Sequence, residues 1–215
     1  MKDYLKKNED YWSKNYMADN VECWVFRPYE HIFKFDLGLT GQNNEKILDF
    51  GCGQGSTLSY FRSKGFDVYG VDINAESIES CKEKMPEVAE HFDVISPVPA
   101  EEDQFFDGGF DLITSIQTLY YLSDTDLKIR LASLYNQMKP NAIFYATMMG
   151  TNCYFYQHSR DAKDGLSLVE FDCSRFSVRD YYVNFTKSEE ELVSKFDMFE
   201  KIHVGYYDYS FREDE

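Results

Sequence analysis

A chain of 215 residues with 43% hydrophobic content is long enough for one globular domain with a sizeable core. Its 38 acidic against 22 basic side chains leave a net charge of −16, which repels nucleic acid and anionic membrane surfaces and removes both from the expected partners. Five cysteines without a CxxC spacing and four scattered histidines form neither a disulfide framework nor a zinc pattern, so no metal is expected.

No run of 18 apolar residues occurs, and the start "MKDYLKKNEDYW" lacks the apolar stretch of a leader, so the chain reads as cytoplasmic. In residues 1–45, "DYLKKNEDYWSKNYM" sets Leu5, Trp12 and Tyr16 roughly on one helical face with Tyr11 beside it. "WVFRPYEHIFKF" then adds Arg27, a candidate clamp for an anionic group on a ligand. From Glu45 onward, short apolar runs alternate with segments of helical period, the pattern of strand–helix crossovers in a parallel sheet. The expected strands are Lys46 to Phe50, Phe66 to Val71, Phe92 to Ile95, Phe110 to Ile116 and Ile143 to Met148. Helices are expected over Ser56 to Lys64, from the cap Asn74 to about Met85, and from the cap Ser123 to "KPNA", with Leu127, Leu131, Leu134 and Met138 on one face. Thr186 and Glu189 read as a capping box opening "SEEELVSKF", and Phe199 to Tyr209 as a closing strand. The aromatic residues are denser in the two flanks than in the centre, which suits short packed elements or the walls of a ligand pocket.

The stretch "KILDFGCGQGSTLSYF" runs from strand through glycines to helix and brings backbone against whatever lies at the strand's C-terminal edge. The third glycine of a dinucleotide fingerprint would fall at Ser56, and no G-x-x-x-x-G-K-[ST] occurs. Asp49 would repel a pyrophosphate and attract a cationic amine. Asp72 ends the second strand, where a carboxylate can accept both hydroxyls of a ribose. A nucleoside carrying an amine-bearing tail fits this pair of acids better than NAD.

"ILDFGCGQGS" followed by "VYGVDINAESIE" resembles the class I S-adenosylmethionine-dependent methyltransferases, with "FDLITSIQTLYYL" as the matching fourth strand and its exit. The resemblance implies an α/β fold: a Rossmann-like, doubly wound, mostly parallel sheet flanked by helices, here with an incomplete last strand. It implies a single domain with a helical lid over 1–45, a cofactor-binding core over 46–149, and an acceptor-side insertion with a final helix and strand over 150–215. S-adenosylmethionine is the implied cofactor and S-adenosylhomocysteine its product. By motif match, Asp49, Gly51, Cys52, Gly53, Gly55 and Asp72 hold the cofactor, with Ile73 beside the adenine and Gln117 at the end of the fourth strand. Tyr11 and Tyr16 are the lid's candidate contacts.

The resemblance places this segment beside the methyl group; Tyr120 and Tyr121 stand where many small-molecule members carry a histidine, so that histidine is absent here and the two tyrosines are the catalytic candidates in its place. A hydroxyl acceptor needs a general base, and His158 in "YFYQHSRD" is the first candidate, ahead of His203 and Asp208. The expected reaction is methyl transfer to a hydroxyl of a sugar, sugar nucleotide or related biosynthetic intermediate, with Arg27 on the acceptor side. An amine or amidate acceptor, or a protein that binds the cofactor without catalysis, are the alternatives. An uncovered sheet edge would invite a homodimer.

Overall fold

The computed structural model describes residues 23–170 and 180–207. β1 (Lys46–Phe50) carries the doubly buried pattern of a central strand: Ile47 and Leu48 are both fully buried although they point to opposite faces. Around it β2 (Asp67–Asp72), β3 (Phe92–Val94), β4 (Phe110–Ser115) and β5 (Met138–Ala146) form a five-stranded sheet in the order β3-β2-β1-β4-β5, every pair parallel. The doubly wound α/β reading therefore holds.

Helices cover both faces. On the Ile47 side lie α1 (Cys23–Pro28), continuing as a π-turn over Tyr29–Phe33, then α2 (Ser56–Ser63) and α3 (Ala75–Lys84). Val25, Tyr29 and Phe33 repeat every four residues and dock this first helical segment. On the Leu48 side, α4 (Asp124–Tyr135) buries Leu127, Leu131 and Leu134. Asn74 and Ser123 cap α3 and α4 by accepting from the backbone N–H groups of Ser77 and Asp126.

The insertion after β5 holds a short helix α5 (Tyr154–Gln157) and an antiparallel sheet of β6 (Ser159–Asp161), β7 (Ser167–Glu170) and β8 (Asp180–Val183). This sheet docks on the exit of β4: the Asn184 N–H donates to the Tyr120 carbonyl, and the Asn184 amide donates to Leu122 and Asp124. α6 (Glu189–Lys195) follows.

Three expectations need correction. The cap lies two residues later, on Ser188, whose hydroxyl accepts from the Glu191 N–H while the Glu191 carboxylate accepts from the Lys187 N–H; Thr186 is taken by a bridge to Gly150. "KPNA" belongs to β5 rather than to a helix end; Pro140 is tolerated in this edge strand, and Asn141 takes φ 66° where the register with β4 shifts. β8 ("DYYV") belongs to the small sheet, and among the described residues the large sheet ends at β5. Residues 200–207 form no strand, since Ile202, His203, Tyr206 and Tyr207 are exposed and give no buried face; Tyr209 lies outside the described residues.

Candidate active site

The strand order reverses direction at β1 and β4, so the turn after β1 and the segment after β4 open side by side at the C-terminal edge. The turn's N–H groups point inward. Gly51 and Cys52 both donate to the Val71 carbonyl, at 2.8 and 3.1 Å, and Gly55 donates to Cys52 at 2.9 Å. Gly53 donates to Asp72 Oδ2 at 2.8 Å. Donors already spent on the protein cannot cradle a phosphate, which accounts physically for the departure from the dinucleotide spacing.

The three glycines have different duties. A β-carbon on Gly51 would collide with the Thr118 side chain, and one on Gly55 would stand 2.9 Å from Cys81 Sγ. At Gly53 it would meet nothing within 4 Å, although φ is +50°. Gly51 and Gly55 thus serve the protein's own packing, whereas Gly53 leaves open space in front of the backbone.

Asp72 borders that space. Its half-buried carboxylate accepts from the Gly53 and Asn74 N–H groups, both at 2.8 Å. Two of roughly four acceptor positions stay available for hydroxyl donors. Ile73, 61% exposed, offers a flat apolar surface next to it. Asp49 lies 2% exposed behind the turn and accepts from Thr114 Oγ1 at 2.7 Å. Burial pushes its carboxyl pKa up to about 7, against the pull of the Thr114 hydrogen bond and with further help from the Asp72 charge. A buried acid poised in this way gains most from a cationic partner.

Cys52 turns its side chain away from the opening, into the core against Gly70 and beside Cys81. Gln117 is exposed at the edge with φ 54°, a strained conformation for a non-glycine residue, and its N–H donates to Thr147 Oγ1. Tyr120 is buried among Val169, Val183 and Phe185, while Tyr121 is 52% exposed, with ring centres 4.6 Å apart. Tyr181 completes the cluster, 6.3 Å from Tyr121. Burial, together with the neighbouring Tyr121, raises the phenol pKa of Tyr120 far above its usual value and that of Tyr181 to about 12. Both phenols keep their protons at neutral pH and do not act as bases.

His158 ends α5, exposed, with its ring stacked on Tyr154 and Nδ1 2.9 Å from the Tyr154 carbonyl. A carbonyl only accepts, so Nδ1 carries the hydrogen and Nε2 is the basic nitrogen. Arg27 is exposed on α1, and His203 lies in exposed coil. Tyr11, Tyr16 and Asp208 fall outside the described residues.

Three positions were missed by the sequence reading: Thr114, Thr118 and Thr147. A polar residue directly after the apolar "LI" of β4 was the available signal for Thr114, which pairs with Asp49 in register. Nothing local marks the other two.

A family model described as a methyltransferase domain matches residues 21–190. The chain belongs to the methyltransferase-domain family. Among curated relatives, this methyltransferase domain is 25% identical over 129 residues to the ubiquinone biosynthesis O-methyltransferase of Pectobacterium atrosepticum, covering 57% of this chain and 53% of that protein. It is 26% identical over 113 residues to the malonyl-[acyl-carrier protein] O-methyltransferase of Salmonella typhimurium, covering 52% and 41%. The chain thus spans about half the length of the curated relatives it matches. Its fold is similar to that of an S-adenosylmethionine-dependent methyltransferase from Clostridium acetobutylicum, with a TM-score of 0.59, 17% identity and coverage of 91% and 87%. No described helix of the domain is long and apolar enough to cross a membrane.

Proposed function

We propose that the domain binds S-adenosylmethionine at the turn after β1 and transfers its methyl group to a small polar acceptor. The observation that carries this reading is the open backbone at Gly53 beside an Asp72 carboxylate already fixed by two N–H groups. In this reading Asp72 orients the ribose hydroxyls, Ile73 backs the adenine, and Gln117 lines the methyl side. Asp49 supplies negative charge behind the turn for the amino group. Bound there, the cofactor supplies a methyl group on a sulfonium. The protein's part is alignment, since transfer is an in-line displacement that requires the acceptor within about 3 Å. Tyr120 and Tyr121 then wall the acceptor side, and Arg27 together with the lid tyrosines Tyr11 and Tyr16 belongs to the same proposal.

The finer reading is an oxygen acceptor, a hydroxyl of a sugar, sugar nucleotide or related intermediate, with His158 Nε2 as the base. The O-methyltransferase names of the curated relatives support oxygen. An amine acceptor is favoured by one observation: Tyr120 and Tyr181 hold their protons and cannot serve as bases, and an amine that arrives unprotonated needs none. The reading places the reaction in the cytoplasm, without nucleic acid or membrane as partner, and takes the outer edge of β5 as the seam of a homodimer.

Calorimetry with S-adenosylhomocysteine tests the cofactor site. Binding that is abolished in both Asp72→Ala and Gly53→Val is the expected outcome, and unchanged affinity in both sinks the assignment. Turnover over a panel of hydroxyl and amine acceptors, repeated with His158→Ala, separates the two acceptor classes: only hydroxyl methylation should lose rate.

A further inference from the structure

We propose that Cys52 and Cys81 are a modification site, a dithiol that a peroxide closes into a disulfide beneath the glycine turn, weakening ligand binding at Gly53. The second half of this proposal rests on the cofactor reading above. The bond itself does not.

The two sulfurs come from different elements, Cys52 from the turn and Cys81 from α3, and converge on one oxygen. Cys81 Sγ is 3.2 Å from the Gly53 carbonyl oxygen and Cys52 Sγ is 3.7 Å from it. Two glycines clear the room they occupy. A β-carbon on Gly55 would stand 2.9 Å from Cys81 Sγ, and one on Gly70 would stand 2.9 Å from Cys52 Sγ. Both side chains are buried, at 6% and 0% exposure.

The pair is also electronically unequal. The interaction between the two thiols raises the pKa of Cys52 and lowers that of Cys81, with burial adding to the rise at Cys52 and opposing the fall at Cys81. Lys84, one turn along α3 and bonded to the Gln54 carbonyl at 3.0 Å, adds positive charge on the Cys81 side, against the opposing charges of Asp49 and Asp72. Cys81 is thereby the nucleophile and Cys52 the resolving thiol.

The step balances with hydrogen peroxide as oxidant. The Cys81 thiolate attacks one peroxide oxygen, the O–O bond breaks, and the departing hydroxide takes a proton to become water, leaving a sulfenic acid. Cys52 sulfur then attacks the Cys81 sulfur. The S–O bond breaks, a second water leaves with the Cys52 proton, and the S–S bond forms, so two thiols and one peroxide become one disulfide and two waters.

The Gly53 carbonyl loses both S–H contacts when this bond forms, and the two sulfurs must close to about 2.05 Å. α3 is capped and packed, so the turn moves. The Gly53 N–H that holds Asp72 lies on the same residue and carries the shift to the ribose-side acid. Conversely, a ligand seated against Gly53 keeps the turn closed over the thiols and shields them.

The test uses the full chain, reduced and then treated with hydrogen peroxide. Intact mass should fall by about 2 Da, non-reducing peptide mapping should join Cys52 to Cys81, and dithiothreitol should reverse both. Cys52→Ala and Cys81→Ala, which keep the apolar packing, should each abolish the linkage. S-adenosylhomocysteine should slow the reaction, and its affinity should fall about tenfold or more on oxidation and return on reduction. A linkage to other cysteines, sulfinic acid without a linkage, or a Cys52–Cys81 bond that leaves affinity unchanged overturns the proposal. If the ligand fails to bind even the reduced protein while the bond forms, the cofactor reading falls and the disulfide stands.

Discussion

Asp49 links the chemistry of one carboxyl to two observables. Its folded-state pKa, about 7, lies above the ordinary 3.8, so the folded protein retains a proton that the unfolded chain loses. The stabilisation this gives is fully present below about pH 4 and is lost as pH rises through 7. Ligand binding runs the opposite way, because a cationic amine needs the ionised acid. S-adenosylhomocysteine affinity should therefore climb between pH 5 and 7.5, approaching about tenfold per unit at the acid end. Asp49→Asn, which can still accept from Thr114, should bind about tenfold more weakly at pH 8 and show a flat profile in calorimetry over the same range. An unchanged slope in the variant would assign the pH dependence elsewhere. The glycines give a second contrast at this scale. Gly53→Val should cost about 1–2 kcal/mol from its left-handed backbone and lose ligand binding, whereas Gly51→Val should fail to fold in thermal melts because Thr118 occupies the space.

At the level of elements, the segment between β3 and β4 is held by α4 rather than by its own structure. Arg130, 2% exposed, projects from α4, pairs with Asp103 at 2.8 Å, and lies over the rings of Phe50 and Phe105. Phe50 immediately precedes the glycine turn. Asp103 and Phe105 line a cavity of about 220 Å³ with Val71, Val94 and Ile95, beside the end of β2. Arg130→Met should cost about 3 kcal/mol, because Asp103 keeps its charge without its partner. Adding Asp103→Asn should recover part of that loss in denaturant titrations, and a double variant no more stable than Arg130→Met would deny the pairing its role. Such an arginine was not legible in the sequence: it sits in "LKIRLAS" like any exposed helical charge, and only the tertiary placement of Asp103, 27 residues earlier, explains it. β1 to β4 were legible, because their runs are short, apolar and bounded by turns or caps. So was the turn after β1, whose glycines and two acids are read within 24 residues. The insertion was not, since β6 to β8 are three or four residues long and gain their stability from docking on Tyr120, to whose carbonyl Asn184 donates, rather than from local pattern.

For the molecule as a whole, the net charge of −16 acts on every element at once. The exposed face of α3 carries Glu76, Glu79 and Glu83, and α6 opens with the exposed Glu189 and Glu190. Exposed ion pairs such as Lys82–Glu79 and Lys201–Glu189 are screened by water and ions and contribute little on their own. Added salt thus has two opposed effects: it weakens those pairs, and it screens the repulsion among the unpaired acids. The excess of carboxylates makes repulsion the larger effect, since unfolding separates like charges that the folded chain holds within about one Debye length. The melting temperature at pH 7.5 should therefore rise as sodium chloride is increased from 20 to about 300 mM, and the rise should shrink at pH 5, where the net charge is smaller. Fluorimetric melts across the two series decide it: a melting temperature that falls with salt at pH 7.5 would mean that the described ion pairs outweigh the charge excess.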